Sequence, residues 1–242
     1  MANLKYGAYR ALWSALDLLF PPVCGGCGKT GSRWCADCQS RVNVLNGVVC
    51  EVCGLPQTQP GMCSGCRVER PRFYALRAWA VFDEPVQSAL HKLKYRRDIS
   101  MGEAIASQMI PFVKNLNWQI DLVIPIPLSK PRLKERGYNQ VAMIAKPLAM
   151  ALGLQYAPHE LARQKATRTQ VGLSRVDRRA NVRGAFCAGS GVKDRSVLIM
   201  DDVSTTGSTL SAGAEALYSA GARQVYALTV ARALPHHDLR QV

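Results

Sequence analysis

Four Cys-x-x-Cys pairs, Cys24/Cys27, Cys35/Cys38, Cys50/Cys53 and Cys63/Cys66, stand in the first 66 residues of a 242-residue chain and account for eight of its nine cysteines. Two thiolates separated by two residues fit on one tight turn and chelate one metal ion, and two such turns complete a tetrahedron around Zn2+. The pairs therefore predict two structural zinc ions, with every position filled by sulfur and none open to water or substrate. Using the first two pairs for one ion and the last two for the other closes the shortest loops, although interleaved use also satisfies the ligand count. Disulfides are disfavoured: Lys5 and Arg10 precede an apolar stretch, but Asp17 interrupts it and no small-x-small cleavage site follows. Zinc binding contributes on the order of 10 kcal/mol or more per ion, so a segment this short folds with little core of its own. Its expected extent is residues 21–70.

Ahead of it, Leu12, Trp13, Leu16, Leu19 and Phe20 recur at helical spacing and predict an amphipathic helix over residues 4–19 that docks on the protein's own core. Pro21 and Pro22 stop it, so residues 1–20 form an N-terminal helix. No apolar run is long enough to span a bilayer, and reduced thiols without an export signal point to the cytoplasm. The net charge is +14, of which +9 falls in residues 129–183, where twelve Lys and Arg face only Glu135, Glu160 and Asp177. Such a segment suits a polyanionic partner.

From Arg72 onward the cysteine pattern gives way to alternating strand-like and helical segments, predicting one α/β domain over residues 71–242. Residues 73–82, 121–127, 197–200 and 225–231 read as strands, and the segments 85–95, 102–113, 138–152 and 209–220 as helices. Helices between strands imply parallel pairing with right-handed crossovers, and strands apolar on both faces are those of a covered parallel sheet. Cys187, beside Ala185 and Phe186, reads as a buried small hydrophobe.

The stretch VLIMDDVSTTGSTL, residues 197–210, carries the chemistry. Asp201 and Asp202 end a central strand, and open α/β sheets bind ligands beyond the carboxyl ends of their strands. The turn that follows, with Thr205, Thr206, Gly207, Ser208 and Thr209, offers main-chain N–H groups at a helix start and several hydroxyls, a fit for phosphate without a lysine. Two carboxylates would repel that phosphate, so the ligand must present hydroxyls or a hard cation to them. A ribose 5-phosphate meets both demands.

These residues resemble the 5-phosphoribosyl 1-pyrophosphate signature of type I phosphoribosyltransferases. Together with LLFPPVCGGCG, LKYRRD, ERGYNQ and TRTQVGLSRVDRRANVRGAF, the chain is similar to the ComF family from about Leu16 to Arg232. The resemblance implies a type I phosphoribosyltransferase-like α/β fold, a parallel sheet flanked by helices, behind a double zinc ribbon. It assigns the ribose hydroxyls to Asp201 and Asp202, and the 5-phosphate to Val203, Ser204, Thr205, Thr206, Gly207, Ser208 and Thr209. Lys130, Arg132 and Arg136, on the loop after an earlier strand, are candidate pyrophosphate contacts, and Arg163, Gln170, Arg178 and Asn181 belong to a loop over the substrate. It also implies Mg2+, release of pyrophosphate to an acceptor that no motif names, and a role in DNA uptake with single-stranded DNA and a DNA-uptake helicase as partners. The rival is a non-catalytic phosphoribosyl-ligand sensor or single-stranded DNA adaptor on the same fold.

Overall fold

The computed structural model describes residues 2–164 and 184–234. Its strands are β1 (Ala75–Val81), β2 (Leu122–Pro125), β3 (Gln155–Tyr156), β4 (Leu161–Arg163), β5 (Phe186–Ala188), β6 (Ser196–Ser204) and β7 (Gln224–Arg232). Its helices are α1 (Ala2–Leu19), α2 (Ala36–Ser40), α3 (Ser64–Val68), α4 (Val86–Tyr95), α5 (Ser100–Asn115), α6 (Lys130–Arg136), α7 (Gln140–Leu152) and α8 (Ser208–Ser219). Five strands form one sheet in the order β1-β7-β6-β2-β3, parallel at every pairing, as the alternation of elements predicts. Strands β4 and β5 form a separate antiparallel hairpin.

Alternation along β6 divides the core into two layers. Leu198 and Met200 face Leu90, Met101, Ile105, Ile144 and Leu148 of α4, α5 and α7. Val197 and Ile199 face Leu210, Ala214 and Leu217 of α8, with Leu161 and Phe186 of the hairpin. Each fully buried Leu or Ile contributes roughly 1.5–3 kcal/mol, and β6, third of the five strands, is covered on both sides.

The cysteine-rich head lies along β1, which would otherwise leave a sheet edge open. The Leu76 N–H donates to the Val52 carbonyl (2.7 Å), the Val81 N–H to Asn43 (2.9 Å), and the Leu45 N–H to Trp79 (2.9 Å). An edge strand with unpaired N–H and C=O groups invites pairing with another chain, and this backbone removes the opportunity. The approach is close: a Cβ on Gly54 (φ +68°) would stand 2.4 Å from the Leu76 carbonyl oxygen.

Three expectations need correction. The run Lys130–Arg136, expected as loop, is α6; proline near its start and left-handed Gly137 (φ +83°) bound it. Its residues are charged or exposed, Leu133 included (45% exposed), so no apolar stripe betrays the helix. Helix α1 docks, but not through the expected stripe: Leu12, Leu16, Leu19 and Phe20 stay exposed, and of the five only Trp13 is half-buried, beneath the Arg33 guanidinium (4.8 Å to the ring centroid). Arg33 holds it instead, donating to Asp17 Oδ1 (2.5 Å) and to the Trp13 carbonyl (2.9 Å), while Tyr6 donates to Glu103 Oε1 (3.1 Å). Cys187 is half-buried, because it alternates with buried Phe186 along β5 and so takes the opposite face.

Gly54→Ala combines a left-handed backbone with a backbone collision, and is expected to cost on the order of 2–4 kcal/mol. Gly28→Ala, also left-handed (φ +79°) but with nothing within 4 Å, has no collision to relieve. It should cost only about 1–2 kcal/mol. Thermal unfolding of both variants at equal zinc content checks the difference.

Candidate functional site

The eight paired cysteines gather into two clusters, Cys24/Cys27/Cys35/Cys38 and Cys50/Cys53/Cys63/Cys66, so the sequential pairing is the one formed. In the first cluster, Cys24 Sγ lies 3.6 Å from both Cys35 Sγ and Cys38 Sγ, and in the second, Cys53 and Cys63 are 3.7 Å apart. A tetrahedral zinc–thiolate site, with Zn–S near 2.3 Å, has sulfurs about 3.8 Å apart. The clusters fit Zn2+, and four sulfurs each leave no position for a substrate. Main-chain N–H groups of Cys35 and Cys63 point at Cys24 Sγ and Cys50 Sγ (3.4 and 3.3 Å), the donation that a thiolate favours.

The acid pair sits where the sheet opens, six and seven residues into the nine-residue β6. Successive strand residues face opposite sides of a sheet, and the two carboxylates have different company. Asp202, 7% exposed, accepts from Gln140 Nε2 of α7 (2.6 Å) and pairs with Lys94 Nζ of α4 (3.1 Å), both at Oδ2. Gln140 in turn accepts from Arg136, whose guanidinium lies over the Tyr95 ring (5.4 Å to its centroid). Asp201 accepts the Asp202 N–H at Oδ1 (2.9 Å). Burial first, and the Asp202 charge second, push the Asp201 carboxyl up to about 7, although Lys94 and Arg163 pull the other way.

Beyond β6 the chain turns through Gly207, left-handed at φ +74°, into α8. Leu76 and Phe73 would stand 3.4 Å from a Cβ there, so the turn is set against the core of the sheet. The Ser208 and Thr206 hydroxyls bond each other (2.6 Å), and the Ser208 N–H reaches Thr206 Oγ1 (3.4 Å). The first N–H groups of a helix have no preceding carbonyl to donate to, which leaves donors there of the kind an anion can use. Ser204 is directed elsewhere: its buried hydroxyl bonds Thr229 of β7 (3.2 Å). The Val203 side chain packs on the core.

Among the other candidates, Arg136 is brought to the acid pair through Gln140, whereas Lys130 and Arg132 stand exposed on α6. Arg163 lies over Phe186 (5.4 Å), and burial, followed by repulsion from Arg132, lowers its pKa. Gln170, Arg178 and Asn181 lie outside the described residues. Lys94 and Gln140, the partners of Asp202, were not singled out from the sequence. They lie inside the motifs LKYRRD and ERGYNQ.

A raised acid pKa acts against stability as pH rises. Between about pH 4 and 7 the folded state keeps the Asp201 proton that the unfolded state loses, so folding weakens across that window and the loss is complete above it. Asp201→Asn removes the penalty. In magnesium-free buffer the variant is expected to be more stable than the parent at pH 8, by on the order of 1 kcal/mol or more, with the gap closing below pH 5. Melting temperatures across pH 4.5–8.5 measure it.

Residues 15–67 match the double zinc ribbon domain and residues 137–238 the phosphoribosyl transferase domain. The chain is 32% identical over 206 residues to DNA utilization protein YhgH of Escherichia coli O157:H7, covering 83% of this chain and 90% of that protein. It is 27% identical to Competence protein ComFC of Bacillus subtilis (strain 168), over 91% of this chain and 89% of the relative. Competence protein F of Haemophilus influenzae is 28% identical over 82% of this chain and 90% of its own length. With the two domains in the same order as the zinc clusters and the sheet, and with identity above 30% sustained across most of both chains, the protein belongs to the ComF family.

Proposed function

We propose that the protein binds 5-phosphoribosyl 1-pyrophosphate with Mg2+ at the carboxyl end of β6 and acts as a phosphoribosyltransferase in the uptake of DNA. The observation that carries this reading is the unbroken run from the acid pair through the left-handed Gly207 turn to the start of α8. It sets a receptor for phosphate beside a receptor for hydroxyls or cations. The main-chain N–H groups around Thr206 to Thr209 take the 5-phosphate. The acids fit a divalent cation, since a 2+ charge relieves the repulsion that raises Asp201. When bound, Mg2+ supplies positive charge to the departing pyrophosphate.

The chain's own residues then have distinct tasks. Lys94 and Gln140 hold the Asp202 carboxylate in one orientation, and Arg136 extends that support toward the solvent side. Transfer breaks the bond from C1 to the pyrophosphate oxygen, which leaves with the electron pair, while the acceptor nucleophile forms the new bond to C1. The Asp201 carboxylate takes up the proton that the nucleophile sheds. Arg163 and Arg136 supply positive charge for the leaving group. The names of the relatives, DNA utilization and competence proteins, support DNA uptake as the setting. Among the described residues no helix is long and apolar enough to cross a membrane; the cytoplasm is the place of action on this reading.

Titration calorimetry with Mg2+ and phosphoribosyl pyrophosphate is expected to show one site per chain. Asp201→Ala with Asp202→Ala should weaken binding at least about a hundredfold, through loss of two charge-assisted contacts. No binding by the parent protein, or undiminished binding by the double variant, overturns the reading. Release of pyrophosphate in the presence of bases, amines or nucleic acid then tests turnover.

One observation favours the adaptor reading beside it: Lys130, Arg132 and Lys134 are exposed along α6, and Tyr95, 63% exposed, stands next to Arg136. Basic side chains with an accessible ring suit single-stranded DNA. Its affinity for an oligonucleotide should fall linearly on a log–log plot against salt, with the slope reduced in a K130A/R132A/K134A variant. A flat salt response removes this reading.

A further inference from the structure

Arg232, the last residue of β7, is 4% exposed, and among the described residues no carboxylate pairs with it. Its Nη1 donates to the carbonyl of Cys53 in the second four-cysteine cluster (2.6 Å), and its Nη2 to the carbonyl of Thr205 in the phosphate-side turn (3.4 Å). Nε is buried without a partner among the described residues. A cavity of about 130 Å³ separates cluster and turn, walled by Cys53, Cys63, Glu69, Thr205, Thr206 and Arg232.

A guanidinium cannot be deprotonated, and in a buried place it must find compensating negative charge. Two neutral carbonyls satisfy donors without cancelling the charge. The group that can cancel it is the cluster itself, since four thiolates on one Zn2+ carry a formal charge of 2−. Loaded with zinc, the cluster fixes four thiolates beside Arg232 and stabilises it; emptied, it no longer holds that charge in place. Arg232 is at the same time tied to the turn, because register sets it opposite Ser204 and its side chain reaches Thr205. The Thr205 carbonyl belongs to the peptide whose N–H is that of Thr206, so holding one orients the other.

We propose that Arg232 is a positioning residue that couples zinc occupancy of the Cys50/Cys53/Cys63/Cys66 cluster to the shape of residues 204–209, so that zinc and sugar phosphate each strengthen the binding of the other. The ligand half rests on the sugar-phosphate reading above; the coupling of cluster to turn does not. The first cluster has no such link: among the described residues its contacts run to α1, α4 and α5, with Lys92 Nζ donating to the Cys24 carbonyl (2.7 Å). Reciprocity follows from linkage, and couplings of this kind are typically about 5- to 150-fold.

The test uses the full chain with both zinc ions loaded. Zinc release to a chromophoric chelator is followed with and without ribose 5-phosphate, together with amide hydrogen exchange of residues 204–209. Arg232→Met is expected to release one of the two zinc equivalents about tenfold faster and to raise exchange in the turn, with the other equivalent unchanged. In the parent protein ribose 5-phosphate should slow that same equivalent about tenfold, and in the variant it should not. Arg232→Lys, which keeps the charge but cannot span both carbonyls, should retain zinc while leaving turn exchange raised. That split is one a merely structural residue would not produce.

Unchanged zinc release and turn exchange in Arg232→Met overturn the proposal. So does ribose 5-phosphate that binds by calorimetry yet leaves zinc release from the parent untouched. If the sugar phosphate does not bind at all, the sugar-phosphate reading fails, and the ligand-free comparison of variants still decides the coupling. Should Arg232→Met fail to fold, Arg232→Lys and stepwise zinc removal from the parent decide it: turn exchange indifferent to loss of the second zinc refutes the coupling.

Discussion

The zinc–thiolate bonds are the constraint on which the rest depends. Between Cys24 and Cys66 few apolar residues are buried apart from the cysteines themselves and Val52. A segment with so little core holds its shape through metal binding worth on the order of 10 kcal/mol per ion. That shape is what closes the open side of β1, where Val52, Asn43 and Leu45 exchange hydrogen bonds with the strand. The clusters, with all their positions filled by sulfur, would take no part in the chemistry themselves and yet set the boundary of the sheet on which it would occur.

The acid pair shows the opposite kind of economy, in which stability is given up. Asp202 is anchored by Lys94 and Gln140 on one side of the sheet, while Asp201 keeps a carboxyl that burial and its neighbour hold near neutrality. Strand alternation, not loop flexibility, separates the two roles. Neighbouring residues of the same type come to differ in their partners because they face different layers.

Much of this was legible beforehand, and the reasons for the exceptions are physical. Cys-x-x-Cys spacing and the strand–turn–helix run around Asp201 are local patterns, readable because the chemistry requires residues close in sequence. The long sheet strands were readable from their apolar composition. Strands β4 and β5, at three residues each, are too short to show a period. Helix α6 has clear boundary signals but no buried face, and α1 has an apolar stripe that the fold leaves exposed. Lys94, Gln140 and Arg232 gain their roles from partners 108, 62 and 179 residues away, contacts that no window along the chain contains.

The strand order carries a consequence for how the molecule is assembled on the ribosome. Strand β7 lies between β1 and β6, so until residues 224–232 have been synthesised the head with β1 has no partner in the trio β6, β2 and β3. Two half-sheets must wait, each with an open side, for the last strand to lock them together. A nascent chain stalled before that point would expose both inner edges at once, and so would be vulnerable to aggregation until β7 is made.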